Sequence, residues 1–322
     1  MRIPYCLLTP ALLIALATTS FAQRSSLSEL SQAQSLNEQG QTRAAIAILE
    51  PLLQPESHVL DPANTGIAWN LLGSAYRSFD EYDKARRCYE TASQILSAVP
   101  NEQSEYASAL NNLGAIEEFK GQFNSSKTLR TKAKRLYESV GDHAGVAVAS
   151  SNLAQLAFHQ NDLPTARKNM AEAFREAQLT NQITDNNLAA MYTVKSALSY
   201  MEKDFHAAIA ADQHAIDIWT RVHGPEFYQL GLAYRLRGQA SSQLGDSQQA
   251  ISDLQHALKL LEGIPGKNSQ TYLMTELIYA RMLRNAGSTQ EAEFLEKKAQ
   301  TALTTVRIQQ CGGCTISAES FR

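Results

Sequence analysis

The residues best suited to chemistry stand near the end of the chain, where two cysteines enclose two glycines in Cys311-Gly312-Gly313-Cys314. Thiols at this spacing can close a small disulfide loop, exchange disulfides with a substrate, or supply two of the roughly four ligands of a zinc ion. A redox role would need a strand leading into a helix whose N-terminus lowers a thiol pKa, and no such pattern precedes Cys311. We favour a local disulfide between Cys311 and Cys314, with idle thiols, redox chemistry and metal binding as alternatives.

The other polar residues form no recognisable catalytic set. The seven histidines are scattered, and the closest pair, His206 and His214, lacks the glutamate arrangement of a metalloprotease helix. Neither a phosphate-binding glycine loop nor a nucleophile elbow occurs. Cys88, which lies beside Tyr89, is interpreted as a packing residue rather than a nucleophile. We therefore expect a protein that is not an enzyme and that uses no cofactor and no metal.

Charge and composition exclude further classes of function. The 322 residues include 29 Lys plus Arg and 32 Asp plus Glu, for a net charge of −3, and 44% of them are hydrophobic. A folded chain with this balance has no broad cationic surface for a phosphate backbone or an anionic membrane leaflet. We expect no nucleic-acid partner.

The first 22 residues have the organisation of a secretory signal. Arg2 precedes an apolar stretch of about twelve residues, and Ser20-Phe21-Ala22 provides small residues for cleavage after Ala22. That stretch is shorter than the roughly 20 residues that a membrane-spanning helix needs, and no later segment is apolar enough to span. We expect export to the periplasm or the medium without an integral membrane span. The alternative is an uncleaved anchor or a buried first helix.

The rest of the chain repeats itself in seven blocks with steps of 40 to 42 residues. Small residues mark one register of the repeat: Ala45, Ala85, Ser126, Ala166, Ala208, Ala250 and Ala292. A second set follows seven residues later: Leu52, Ala92, Ala133, Ala173, Ala215, Ala257 and Ala299. A third set lies twelve residues before the first: Ala33, Gly73, Gly114, Ala154, Ser196, Gly238 and Ala280. A separation of seven returns to one helix face, so each block is predicted to be two helices packed at close range.

The turn inside each block also has its own chemistry. Five residues before the first register stand residues that mostly tolerate the left-handed conformation that ends a helix: Gly40, Asp80, Gly121, Asn161, Lys203, Gly245 and Gly287. Capping side chains such as Asp162 and Asp246 follow. No sustained period-two β pattern occurs. These features predict an all-α chain of helical hairpins, in which stacking buries the apolar faces and leaves a concave surface.

The block from Trp69 to Ala92 resembles the tetratricopeptide repeat. The signature residues occur in order: Trp69, Leu72, Gly73, Tyr76, Tyr82, Ala85, Tyr89 and Ala92. The 42-residue step, the segment Leu110-Asn111-Asn112-Leu113-Gly114 and the linker Val222-His223-Gly224-Pro225-Glu226 are similar to the longer subclass typified by kinesin light chains and found in many bacterial proteins. The sequence departs from the pattern at Lys195 and Arg237, where Leu is usual, and at Glu117, where an aromatic residue is usual.

The resemblance implies a right-handed α-solenoid of about seven hairpins over residues 23–308, followed by a tail at 309–322. It also implies a non-catalytic protein-binding scaffold in which the first helix of each hairpin lines the groove. On that face the candidate partner-binding residues are Asn70, Arg77, Asn111, Asn112, Asn152, Arg235 and Gln239. A row of carboxamides suits recognition of peptide main chain, because each one offers donors and acceptors. The alternative is that these asparagines bond to neighbouring helices and fix the repeat register.

Three functions remain open on the sequence alone. The leading hypothesis is an exported scaffold that captures a segment of a protein in its concave groove. The second is a sensor or carrier that binds a free peptide or a cell-wall fragment. The third is a thiol–disulfide oxidoreductase that uses Cys311 and Cys314. The sequence does not identify the partner or the oligomeric state.

Overall fold

The computed structural model describes residues 25–54 and 60–310, and in these ranges the chain forms fourteen α-helices and no strand. In chain order the helices are α1 (25–38), α2 (Thr42–Leu52), α3 (Pro62–Ser78), α4 (Tyr82–Leu96), α5 (Gln103–Phe119), α6 (Phe123–Ser139), α7 (His143–His159), α8 (Leu163–Gln178), α9 (Asp185–Met201), α10 (Phe205–His223), α11 (Leu230–Gln243), α12 (Ser247–Leu261), α13 (Gln270–Asn285) and α14 (Thr289–Gln310). The all-α prediction is confirmed.

Consecutive helices pair into seven hairpins that stack as an α-solenoid. The odd-numbered helices from α3 to α11 each pack against the next odd-numbered helix as well as against their own hairpin partner. Among the described residues, no two even-numbered helices pack against each other to a comparable degree. The odd-numbered first helices therefore form the tighter inner layer, and the second helices splay outward. This arrangement gives the solenoid a concave face that the first helices line.

Close approach of the helices explains the three registers of small residues. Every member of the first set has 0% of its surface exposed, and the members of the other two sets are also buried. A Cβ added at Gly73 would lie 2.7 Å from the ring of Tyr89, and one at Gly114 would lie 2.9 Å from Cγ of Arg130. The first and second helices of a hairpin thus touch at points where no larger side chain fits.

The predicted turns adopt the predicted backbone conformation. All seven positions have a positive φ: 75° at Gly40, 58° at Asp80, 75° at Gly121, 59° at Asn161, 63° at Lys203, 85° at Gly245 and 92° at Gly287. The next residue often caps the second helix, since Asp162 accepts from the backbone N–H of Thr165 and Asp246 from that of Gln249. Local backbone conformation, and in several hairpins a capping side chain, thus define the turn between the two helices.

The three departures from the repeat pattern keep the helix register, and each gains an ion pair or a cation–π contact. Glu117 is buried and forms an ion pair with Nε of Arg86 at 3.1 Å. Arg237 makes a bidentate contact with Asp253 at 2.6 and 2.8 Å. Lys195 lies over the ring of Phe174, 5.5 Å from its centroid. An aromatic or aliphatic contact is thus replaced by a charged one at each position.

No helix among the described residues is long and apolar enough to cross a membrane. Residues 1–22, which carry the predicted signal, lie outside the described residues, as do Cys311 and Cys314 of the tail.

Candidate functional site

The predicted groove residues all lie on first helices and are exposed to different degrees. Arg77 on α3 is exposed, whereas Asn112 on α5, Asn152 on α7, and Arg235 and Gln239 on α11 are half-buried. Asn70 and Asn111 are buried, with 8% and 5% of their surface exposed. The seven residues therefore divide into five that a ligand can reach and two that mainly face protein.

Asn70 joins two neighbouring hairpins. Its amide donates to the hydroxyl of Ser108 on α5 at 3.1 Å, and its carbonyl oxygen accepts from the amide of Asn112 at 3.0 Å. Both contacts cross from the second repeat to the third. This geometry favours the register role for Asn70. Asn111 is buried beside this network, and its Oδ1 has no hydrogen-bond partner among the described residues.

The backbone of Asn152 is hydrogen-bonded to a buried cluster of charged side chains. Its backbone carbonyl accepts from Nη1 of Arg130, a side chain with 1% of its surface exposed. The same guanidinium lies 2.6 Å from Glu118, which in turn lies 2.6 Å from Nδ1 of His159. Burial lowers the pKa of Arg130, while Glu118 opposes that shift. The cluster fixes α5, α6 and α7 and leaves the half-buried carboxamide of Asn152 without a side-chain partner among the described residues.

Arg77 stands among tyrosines and forms no salt bridge with any described residue. Its neighbours are Tyr89, Tyr228 and Tyr82, and Tyr89 contributes most to raising the pKa of Arg77. The side chain is solvent-accessible although protein surrounds it on most sides, as expected inside a concave surface. Asp80 lies one turn away; it forms no salt bridge with Arg77, but the charge of Arg77 helps to lower the pKa of Asp80, whose Oδ1 accepts from the hydroxyl of Tyr82 at 2.7 Å. Arg77 is therefore a charged, accessible donor.

Arg235 is a cation without a counter-ion in the described part of the chain. It is half-buried, its Nε is shielded from solvent without a hydrogen-bond partner, and burial alone lowers its pKa. A shielded guanidinium without a partner is unfavourable, because the lost hydration is not replaced.

Contacts across the superhelix close the groove, which the sequence analysis did not predict. The hydroxyl of Tyr228, in the turn before α11, lies 3.2 Å from Oγ of Ser78 at the end of α3. The neighbouring Phe227 packs against Gly40, whose added Cβ would lie 3.0 Å from its ring. Asp80 faces the backbone N–H groups of Gln270 and Thr271 at the start of α13. Burial raises the pKa of Asp80, and these N–H groups partly offset the increase. Oδ2 of Asp80 nevertheless has no hydrogen bond of normal geometry.

Two buried titratable groups lie away from the groove residues. Cys88 is buried among apolar side chains and burial raises the pKa of its thiol to about 12, as expected of a packing residue. Asp212 on α10 is fully buried, accepts from the hydroxyl of Ser196 at 2.6 Å, and has a pKa that burial raises to about 8. His206 and His214 are exposed on α10.

Comparison with protein families identifies the repeat. A family model described as "Tetratricopeptide repeat" matches residues 64–137, 105–175 and 187–263, which together span more than half of the chain. No curated protein matches. The matched residues fall on α3 to α12, which are the second to the sixth of the seven hairpins.

Solved structures share the solenoid at low sequence identity. NprR in complex with its cognate peptide NprX has a TM-score of 0.65 and 9% identity, over 92% of this chain and 84% of that one. A Rap protein complexed with competence and sporulation factor has a TM-score of 0.62 and 12% identity, over 88% and 77%. Aspartyl phosphate phosphatase F from Bacillus subtilis has a TM-score of 0.61 and 13% identity, over 98% and 80%. At these identities the likeness shows the fold alone.

Proposed function

The chain belongs to the tetratricopeptide repeat family, and from that premise we propose that it is an exported scaffold that binds a segment of a protein in its concave groove, without catalysis. The observation that carries the proposal is the inner layer of first helices, where Arg77, Asn112, Asn152, Arg235 and Gln239 remain accessible. Carboxamides and guanidiniums in one groove can bond to main-chain carbonyls and acidic groups of an extended segment.

Export is the part of this proposal that rests on sequence only. The signal pattern over residues 1–22 supports secretion to the periplasm or the medium, with cleavage after Ala22. Its test is the N-terminal sequence of the protein recovered from a fractionated culture. A mature N-terminus at Gln23 outside the cytoplasm supports export, and an intact Met1 in the cytoplasmic fraction contradicts it.

The second candidate function is binding of a free peptide, as a sensor or carrier. Two of the structural relatives are complexes with a cognate peptide or a competence and sporulation factor. The closing contacts between Ser78 and Tyr228 favour a short ligand, because they bridge the groove. A free peptide that binds the folded state raises Tm, and the stabilisation grows with the logarithm of peptide concentration once that concentration exceeds Kd. A ligand segment within a large protein is instead recovered by co-purification.

The groove assignment is tested by crosslinked co-purification with two matched variants. Asn152→Ala/Gln239→Ala changes accessible carboxamides on first helices, while Asn124→Ala/Gln178→Ala changes exposed carboxamides on the second helices α6 and α8. Surface substitutions of this kind alter stability by only about 0.5 kcal/mol, so both variants should fold. We expect the first pair to lose a specific partner that the second pair retains. Equal recovery with both pairs would contradict the groove assignment.

A further inference from the structure

Two edges of the solenoid that lie far apart in the sequence meet in the structure. One edge consists of the turns after α1 and α3, and the other consists of the segment before α11 and the start of α13. We name the residues in contact the clasp: Gly40, Ser78 and Asp80 on one edge, and Phe227, Tyr228, Gln270 and Thr271 on the other. The clasp joins the first two hairpins to the last two.

The clasp consists of turns and helix ends rather than packed helices. Its hydrogen bond links Oγ of Ser78 to the hydroxyl of Tyr228 at 3.2 Å, and its apolar part is Gly40 against the rings of Phe227 and Tyr228. Among the described residues, no helix from α2 to α4 packs extensively against any helix from α10 to α14. A contact of this kind is easily broken, because water replaces the lost hydrogen bond.

Asp80 makes the closed clasp less favourable. Burial raises the pKa of Asp80, although Tyr82, the backbone N–H groups of α13 and Arg77 oppose that shift. Its Oδ2 is shielded from solvent and has no hydrogen bond of normal geometry. An ionised carboxylate in this position has lost hydration that the protein replaces only in part. Opening the clasp restores that hydration, which brings the closed and open forms closer in free energy.

The joint between the fourth and fifth hairpins is where consecutive hairpins pack least closely. Of the six places where a second helix meets the next first helix, α8 and α9 make the least extensive contact among the described residues. A ring contact between Phe174 and Tyr192 at 5.2 Å and an exposed ion pair between Arg167 and Glu202 cross this joint. Loosely packed joints are suited to small rotations of one unit against the next.

The α8–α9 joint lies along the chain between the two sides of the clasp. Each hairpin contacts mainly its neighbours, so a rotation at the joint is transmitted along the solenoid and displaces the two sides of the clasp relative to each other. The same rotation changes the spacing between groove residues on either side of the joint, such as Asn152 on α7 and Gln239 on α11.

We propose that the clasp is a gate: rotation about the α8–α9 joint separates its two sides and opens a path to the concave groove. The inference rests on the proposed function for what the gate admits, and on the clasp and the joint for the movement itself. A ligand that contacts hairpins on both sides of the joint stabilises one of the two forms.

Double electron–electron resonance measures the distance across the clasp. Nitroxide labels are attached at Arg87→Cys on α4 and Asn268→Cys just before α13, two exposed sites in hairpins that the clasp joins. Cys88 stays unlabelled, because it is buried and burial raises the pKa of its thiol to about 12. The full chain is used, with serine in place of the other three cysteines: Cys6, Cys311 and Cys314. We expect a main short distance from the closed form and a minor longer one from the open form.

Tyr228→Ala should open the clasp, since it removes the contacts with Ser78 and Gly40. We expect the population of the longer distance to rise on the order of tenfold. The matched control is Tyr106→Ala, which removes a half-buried tyrosine of α5 that is not part of the clasp, and it should leave the distance distribution unchanged. Circular dichroism verifies that both variants fold.

Asp80→Asn should act in the opposite direction. Asparagine tolerates the φ of 58° at this position, can still bond to Tyr82 and to the N–H groups of α13, and carries no charge to desolvate. We expect the population of the longer distance to fall several-fold. Asn161→Asp, at the equivalent turn of the fourth hairpin, is the control and should not change it.

Further label pairs locate the movement. Arg87 with Arg135 reports within the hairpins before the joint, His206 with Asn268 within those after it, and Arg135 with His206 across it; all four sites are exposed. In Tyr228→Ala only the pair across the joint should shift together with the pair across the clasp.

Thiol reactivity tests whether the movement gates the groove. Gln239→Cys places a thiol on the inner helix α11 of the unlabelled protein, and its reaction rates with N-ethylmaleimide and with a maleimide-linked polyethylene glycol are compared. The bulky reagent should gain on the small one in Tyr228→Ala, by a factor similar to the gain in open population, and should lose ground in Asp80→Asn.

Three results would overturn the inference: an unchanged distance across the clasp in Tyr228→Ala, a larger open population in Asp80→Asn, or a ratio of reagent rates that none of the variants alters. Shifts within the hairpins on one side of the joint, with none across it, would also contradict it. None of these measurements uses a ligand. If they fail while Asn152→Ala/Gln239→Ala still loses its partner, the groove function stands without the gate.

Discussion

The buried pair of Glu118 and Arg130 allows a quantitative test of how the solenoid is held together. Glu118→Gln keeps the size of the side chain but leaves the guanidinium of Arg130, 1% exposed, without its counter-charge. Removing one partner of a buried ion pair costs about 3–5 kcal/mol, a large fraction of the roughly 5–15 kcal/mol that stabilises a typical domain. We therefore expect Glu118→Gln to lower the free energy of unfolding of the hairpins around α5–α7 by about 3–5 kcal/mol.

An exposed pair of the same length provides the matched control. Arg284 and Glu296 also lie 2.6 Å apart, but their side chains are 41% and 29% exposed. Glu296→Gln should cost less than about 1 kcal/mol, because solvent screens the pair. The double variant Glu118→Gln/Arg130→Met should recover most of the loss, since it removes the uncompensated charge.

Native-state hydrogen exchange is the suitable assay, because repeat proteins open locally and need not unfold in two states. Amides of α5, α6 and α7 should lose protection in Glu118→Gln, while those of α11–α13 should not change. Urea denaturation followed by circular dichroism provides a second estimate. The reasoning is refuted if Glu118→Gln costs no more than Glu296→Gln, or if the double variant is less stable than Glu118→Gln alone.

Three further predictions concern titration, turns and closure. Asp212 has a pKa near 8 in the folded protein and about 4 when unfolded, so the folded state binds the extra proton between these values. Stability should therefore fall as pH rises from about 4 to 8, with a slope approaching 1.4 kcal/mol per pH unit, and urea midpoints of Asp212→Asn should lack that slope. Lys203 has a φ of 63° and Gly121 one of 75°. Lys203→Gly should therefore raise the free energy of unfolding by about 1 kcal/mol, and Gly121→Ala should lower it by about the same amount. A loss of stability in Lys203→Gly, or a gain in Gly121→Ala, measured by urea denaturation, would contradict the turn analysis. Tyr228→Ala removes the contact with Ser78 and should increase hydrogen exchange at the end of α3 but not in α7; unchanged exchange at both would show that the closing contact carries no stability.

Features that recur in every repeat were predictable from the sequence. Gly73 and its equivalents mark close helix contacts. Asp80, Asn161 and Lys203 were placed in the left-handed conformation by their position in the repeat, although Lys203 is not a residue type that favours it. These features depend on interactions within one hairpin, so the period of the sequence is sufficient to locate them.

Features that depend on the pitch of the superhelix were not predictable. Ser78 and Tyr228 are 150 positions apart, and their contact follows from small rotations that accumulate over several repeats. The sequence also did not show which way the side chain of Asn70 points, because a polar residue on a first helix can face either the groove or the next hairpin. Glu117 stood out only as a departure from the pattern, since its partner Arg86 lies on another helix.

The central claim is that the partner contacts the concave face, and site-specific photo-crosslinking measures this most directly. A benzoylphenylalanine at Gln239, on the inner helix α11, is compared with one at the exposed Gln178 on the outer helix α8. We predict that, in cells that produce the protein, Gln239 yields a discrete partner adduct that Asn152→Ala weakens, and that Gln178 yields none. A discrete adduct from Gln178 together with none from Gln239 would contradict binding in the groove.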